Sequence, residues 1–251
     1  MTQPTSTFRI LALSAGLSTP SSTRMLADQL TREVSAALGT DVAEVVVETV
    51  ELREHAHDLT DALLTRFPSG KLARVIEQVR AADAVIAVTP VFNVGPSGLF
   101  KMFFDAVDME LWKGKPVLVG ATAGTARHSL AIDYALRPMF GYLKADLVPT
   151  SVFAASADFG ADTEGQADEQ PLAVRVRRAA GELATMLRAR RGAMHPSNGA
   201  AADGPSADTA GSAGSADDAG QAVGDAAAAP RPALDPEFSD FVPMGALLGR
   251  D

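Results

Sequence analysis

The chain has 251 residues, 47% hydrophobic and 21% charged, with no cysteine and a formal net charge of −9. This is a globular composition, and the length fits one α/β domain with an appendage. The missing cysteines exclude a disulfide framework, a thiolate zinc site and a cysteine nucleophile, and a pI near 4.9 argues against a nucleic-acid binder.

The acidity is uneven. Residues 1–191 hold 20 Lys+Arg against 22 Asp+Glu, whereas residues 192–251 hold 2 against 9. No apolar run approaches the ~18 residues that span a bilayer. The first seven residues lack the basic and then apolar pattern of an export signal. The expected compartment is the cytoplasm, with no membrane contact.

Residues 8–13 (Phe-Arg-Ile-Leu-Ala-Leu) read as a first strand. A polar turn over 14–23 precedes a helix from Thr23 to Leu38, whose apolar positions are Met25, Leu26, Leu30, Val34 and Leu38, with Gly39 as its C-cap. Val42 to Leu52 is rich in β-branched residues and reads as a second strand. The mixed segment 53–69 reads as a loop with a short helix. Lys71 to Ala82 is helical, with Leu72, Val75, Ile76 and Val79 on one face. Residues 84–89 form a third, wholly apolar strand of the buried parallel type. The loop 90–97 leads into a helix over about 98–107.

Residues 116–121 are a fourth buried strand. A glycine-containing loop, Thr122 to Arg127, precedes a helix over 128–143. Leu147 to Ala154 is the fifth strand, and 168–191 is the last helix, with Leu172, Val176, Leu183 and Leu187 inward. Strands alternating with helices imply βαβ units, hence a parallel sheet covered on both faces. Five strands favour the flavodoxin-like order 2-1-3-4-5. Residues 192–233 are Ala, Gly, Asp, Ser and Pro with almost nothing large, the composition of a disordered linker. Large apolar residues return over 234–251, among them Phe238, Phe241 and Leu247. That stretch is either a frayed end or a short docking motif on a tether. The expected organisation is a domain over 1–191, the linker and this motif.

In an open parallel sheet, ligands bind beyond the carboxyl ends of the strands. Three loops leave there. The first holds six hydroxyls, Ser14, Ser18, Thr19, Ser21, Ser22 and Thr23, and opens a helix whose amides attract an anion. It lacks the Gly-Lys-Ser/Thr of a P-loop and the G-x-G-x-x-G of a dinucleotide fold. An ordinary capped turn has the same composition.

The second loop, Thr89-Pro-Val-Phe-Asn-Val-Gly-Pro-Ser-Gly98, carries two prolines, two glycines and Phe92, which reads as a ring-stacking residue or a core aromatic. The third, Ala121 to His128, offers backbone donors at another helix start. His128 reads as an acid, a ligand or a cap. His55 and His57 read as solvated, and Asp105 and Asp108 as a solvated or lysine-paired face. With no nucleophile elbow and no metal cluster, the loops point to a cofactor that brings its own chemistry, and a flat ring with one phosphate fits FMN.

Two runs carry a family resemblance. Thr89-Pro-Val-Phe-Asn…Ser97-Gly-Leu-Phe-Lys101…Asp105 is similar to the T-P-x-Y…S-G-x-x-K…D of NAD(P)H-dependent FMN reductases of flavodoxin-like fold. Ala121-Thr-Ala-Gly-Thr-Ala-Arg-His-Ser-Leu-Ala-Ile-Asp-Tyr-Ala-Leu-Arg-Pro138 resembles the family's A-T-G-G-x-x-A-H-x-L-A-x-D-Y-A-L-x-P. The likeness covers about residues 8–190 and is nearest to the reductase components of two-component flavin monooxygenase and sulfonate-utilisation systems.

The resemblance implies hydride transfer from NADPH or NADH to FMN, delivery of reduced flavin to a partner monooxygenase, and no named acid or base. It implies that Gly16, Ser18, Ser21, Ser22 and Thr23 hold the FMN phosphate. Pro90, Val91, Phe92, Asn93 and Ser97 would line the ribityl chain and ring, with Thr122, Gly124 and Thr125 opposite. Tyr134 would sit on a helix packed between subunits of a homodimer or homotetramer. Phe92 and Ala123 stand where the family has tyrosine and glycine, and the family's first-loop arginine is missing. Other expectations open on the residues are an FMN-bound quinone, azo or chromate reductase, a flavodoxin-like electron carrier, and an FMN-binding regulator.

Overall fold

The computed structural model describes residues 7–39, 44–160 and 170–194. The elements in chain order begin β1 Thr7–Ser14, α1 Ser22–Leu38, β2 Glu44–Glu51, α2 Ala56–Thr65, α3 Gly70–Ala81, β3 Ala84–Phe92, β4 Gly95–Pro96 and α4 Gly98–Ala106. They continue with β5 Pro116–Ala123, α5 Arg137–Tyr142, β6 Asp146–Leu147, β7 Val152–Ala155 and α6 Leu172–Met194.

The fold is flavodoxin-like, with neighbours in the order β2-β1-β3-β5-β6, but the described sheet has seven strands rather than five. Two features make the difference. β4 folds back antiparallel on β3, and the expected fifth strand is two segments on one edge of β5. Asp146 and Leu147 lie opposite Pro116 and Val117, and Val152 to Ala155 lie opposite Gly120 to Ala123. The Val148 N–H still donates to the Val117 carbonyl at 2.9 Å, and the ladder stops there. The Thr150 N–H donates instead to Glu182 Oε2 on α6 at 2.7 Å. The break is thus satisfied by a side chain and not by the ladder.

The central strands are buried on both faces, which is why they read as continuous apolar runs. Leu11, Leu13, Val85, Val117 and Val119 face a layer containing Phe100, Phe103, Phe104, Trp112 and Phe140. Ile10, Ala12, Ile86, Val88 and Leu118 face α1 and α6 through Leu26, Leu30, Val34, Val176, Leu183 and Leu187. Gly120 lets α1 approach: a Cβ there would lie 3.1 Å from Val88 Cγ2 and 3.3 Å from Leu26 Cδ2. Met25, one of the apolar positions of α1, is exposed.

The helix expected over 128–143 is broken. A 3₁₀ turn over Ala126–His128 and a π turn over Ile132–Leu136 precede α5. Pro138 accounts for the π turn, since it has no N–H for the Tyr134 carbonyl and crowds it. The expected linker over 192–233 lies outside the described residues except for 192–194, which continue α6. The motif over 234–251 lies wholly outside them. Among the described residues no helix is long and apolar enough to cross a membrane.

Candidate functional site

The sheet brings the three loops to one edge. Ser14 closes β1 opposite Val88, and the Ala15 N–H donates to the Val88 carbonyl at 2.9 Å. One step further along β3, Thr89 and Pro90 pair with Ala121 and Thr122 of β5. The chain turns one way from β1 to β2 and the other way from β3 to β5. The crevice between β1 and β3 is therefore the topological switch point.

The first loop folds tightly back on itself. Gly16 is buried, and a Cβ there would fall 2.0 Å from Ser21 Oγ and 3.2 Å from Thr23 Cβ. Ser21 is the N-cap of α1, its Oγ accepting the Arg24 N–H at 3.2 Å. Ser18 donates to the Pro20 carbonyl at 3.0 Å across the cis Thr19–Pro20 bond. Ser22 stands exposed at the first helical position, and the first turn of α1 holds no acidic residue. Ser14 Oγ is buried beside the loop without a hydrogen-bond partner. Thr23 is turned inward, its Oγ1 2.8 Å from Thr122 Oγ1, either of which can donate.

The second loop is a hairpin and not an open loop. β3 runs on to Phe92, Val91 pairs with Pro96, and Phe92 pairs with Gly95. Asn93 and Val94 make the two-residue turn with φ of 50° and 68°. Both central angles are positive, as in the mirror-image turns that match strand twist. Val94 is β-branched, so its angle is strained. Thr89 Oγ1 accepts the Ser97 N–H at 3.1 Å and donates to the Pro90 carbonyl at 2.9 Å. Ser97 Oγ then caps α4 by accepting the Phe100 N–H at 3.2 Å. This clasp buries Pro90, Val91 and Ser97 and leaves Phe92 and Asn93 at the surface. Phe92 is 48% exposed, so it is not a core aromatic.

The third loop starts later than expected. β5 extends to Ala123, so Thr122 is a buried strand residue, while Gly124 and Thr125 are exposed beyond it. Asp105 is paired with Lys101 at 2.6 Å, and Asp108 accepts the Glu110 N–H at 2.9 Å. His55, expected in solvent, is largely buried with Nδ1 3.8 Å from Asp58 Oδ2.

Three residues at the site escape a reading of the loops. Arg53 Nη1 donates to the Ser18 carbonyl at 3.1 Å and to Thr19 Oγ1. Its Nη2 pairs with Glu51 Oε2 at 2.7 Å, and Glu51 Oε1 takes Arg24 Nη1 at 2.8 Å. The hydrogen bond to Asp28, then the charge of Asp28 and contacts with Glu51, raise the Arg24 pKa against its partial burial. The available signal was position: Glu51 and Arg53 stand at the carboxyl end of β2, beside the end of β1.

The sequence model of the family described as NADPH-dependent FMN reductase matches residues 8–160. The chain belongs to that family. This FMN reductase is 33% identical over 183 residues to the FMN reductase (NADPH) of Pseudomonas aeruginosa, covering 73% of this chain and 94% of the relative. It is 33% identical over 179 residues to the NADH-dependent FMN reductase SfnF of Pseudomonas fluorescens, covering 71% and 91%. A crystal structure of an oxidoreductase from Corynebacterium diphtheriae is 45% identical, covers 73% of this chain and 98% of its own, and superposes with a TM-score of 0.67. The apo form of an NADH:FMN oxidoreductase, EMOB, is 26% identical, with coverage of 71% and 89% and a TM-score of 0.60. The FMN reductase is thus an oxidoreductase that works with FMN and NADPH or NADH.

Proposed function

We propose that this reductase binds FMN in the crevice between the ends of β1 and β3 and passes the reduced flavin to a flavin-dependent monooxygenase. The observation that carries the reading is the acid-free N-terminus of α1, with exposed Ser22 and the Ser18 loop, on the same sheet edge as the half-exposed Phe92. Such a terminus attracts a phosphate. The buried, unpartnered Ser14 Oγ beside it is a polar atom left for a ligand to satisfy.

The residues present therefore fit a flavin mononucleotide. The loop containing Gly16, Ser18, Ser21 and Ser22 would hold its phosphate. Phe92, Asn93, Gly124 and Thr125 would meet its chain and ring. Thr23, Thr122, Pro90, Val91 and Ser97 would act from beneath, as the buried frame that sets the spacing of the three loops. Bound FMN supplies a ring that accepts hydride from a nicotinamide. The protein's share is to align two flat rings and to exclude water from one side.

Exposed Tyr134 (80%), Tyr142 (77%) and Leu130 near α5 support a homodimer or homotetramer that covers this face. The cytoplasm, where NAD(P)H is at hand, is the proposed compartment, and residues 1–191 are the proposed reductase domain.

The visible spectrum of the purified protein, taken with a turnover assay, tests the delivery role. A colourless protein that turns over only with added FMN supports release of the reduced flavin. A yellow protein that reduces a quinone without added FMN would replace this reading with a bound-flavin reductase.

A further inference from the structure

The outer half of the first loop, Leu17 to Pro20, is exposed, so no packing fixes its shape. Its one bond within itself is the Ser18 hydroxyl to the Pro20 carbonyl. The fixing comes from outside the loop. Arg53 reaches across from the turn after β2 and holds the loop at two points, the Ser18 carbonyl and Thr19 Oγ1. Glu51 in turn holds Arg53 with one oxygen and Arg24, on the first turn of α1, with the other. The loop and the helix N-terminus it precedes are thus joined by a second path, Ser18–Arg53–Glu51–Arg24, besides the chain itself.

We propose that Arg53 and Glu51 are positioning residues for the flavin phosphate, holding the Ser18–Ser21 loop in its binding shape before FMN arrives. This rests on the reading of that loop as the phosphate site. The loop carries no cation of its own. The two guanidiniums of this path are balanced by Glu51 and Asp28, so the cluster contributes shape and not net charge. A loop ordered in advance loses less freedom on binding, and that difference appears as affinity.

Charge and positioning make opposite predictions for Glu51. If Arg53 acted as a bare cation on the phosphate, Glu51→Gln would strip its counter-ion and tighten FMN. If Arg53 positions the loop, Glu51→Gln loosens the brace and weakens FMN.

The test measures binding of FMN and of riboflavin, which lacks the phosphate, by quenching of flavin fluorescence. It uses the full chain as wild type, Arg53→Ala, Arg53→Lys and Glu51→Gln. Arg53→Ala is expected to weaken FMN about tenfold, the scale of lost hydrogen bonds to a charged group, with riboflavin changed less than about twofold. Glu51→Gln is expected to weaken FMN in the same selective way, and Arg53→Lys to restore part of the loss. The kinetic loss falls on KM for FMN more than on kcat. Tighter FMN in Glu51→Gln, or equal losses for FMN and riboflavin in Arg53→Ala, would overturn the proposal. A wild type that binds FMN and riboflavin equally would instead remove the phosphate reading beneath it.

Discussion

Thr23 Oγ1 and Thr122 Oγ1 lie 2.8 Å apart and buried, so the first turn of α1 is tied to the end of β5 across the strand between them. Two of the three loops at the crevice are thereby held to one spacing by a single hydrogen bond. Replacing one threonine by valine strands the other hydroxyl in a dry site, at a cost of about 1–3 kcal/mol. Thr23→Val and Thr122→Val are each expected to lower stability by that amount and to raise KM for FMN. The double variant should recover most of the stability, because no polar group is left unpaired. Denaturant unfolding of all four proteins checks this, and strictly additive losses would contradict it.

Gly16 is required by space. A Cβ there would fall 2.0 Å from Ser21 Oγ and 3.1 Å from Ser21 Cβ, so Gly16→Ala must turn the capping hydroxyl off the Arg24 N–H and crowd the start of α1. Loss of an N-cap costs about 1 kcal/mol. The larger expected effect is on the ligand, with FMN affinity falling about tenfold once the Ser21 hydroxyl is turned aside and the added methyl crowds the loop. Flavin fluorescence titration measures it, and unaltered affinity would place the phosphate elsewhere.

Val94 sits at φ 68° in the tip of the hairpin, where glycine is the favoured residue. Val94→Gly is expected to raise stability by about 1 kcal/mol, since the left-handed penalty of a side chain exceeds the added freedom of the unfolded chain. A lowered denaturation midpoint would show that the Val94 side chain contributes more than its backbone costs.

Lys115 reaches under α3 and donates to the carbonyls of Val79 at 2.8 Å and Ala82 at 2.7 Å. Burial pushes its pKa below the usual lysine value, with the Asp83 carboxylate acting in the opposite sense. In the window just below that usual value the unfolded chain binds more protons than the folded one, so stability there rises with pH. Lys115→Met should abolish that rise. It should also cost about 1–2 kcal/mol at neutral pH, because two helix-end carbonyls lose their donor. Urea unfolding at several pH values separates the two effects.

The apolar runs over 84–89 and 116–121 mark buried parallel strands because composition and burial agree there, while the strand order is not set by periodicity and rests on the number of strands. The breaks were harder to read. Between β6 and β7 the Thr150 N–H leaves the ladder for Glu182, thirty-two residues away, and just before Pro138, which has no N–H, the helix changes register locally. Glu182 is distant in the chain, so its contact is not legible in the local sequence. At the site, the hydroxyl count marked the first loop, but not which hydroxyls turn inward. Thr23 is buried by its contact with Thr122, ninety-nine residues away. Arg53 carries no local mark for the same reason: its role exists only because β2 pairs with β1 and ends beside the loop. Phe92 left two readings open until the β3–β4 hairpin placed it at the surface.

The most direct test is oxidation of NADPH and NADH by the purified wild type with FMN present and absent, run beside Gly16→Ala. The account predicts turnover that requires FMN, with a KM for FMN that rises in Gly16→Ala while the nucleotide KM changes little. A wild type that oxidises neither nucleotide in the presence of FMN would contradict it.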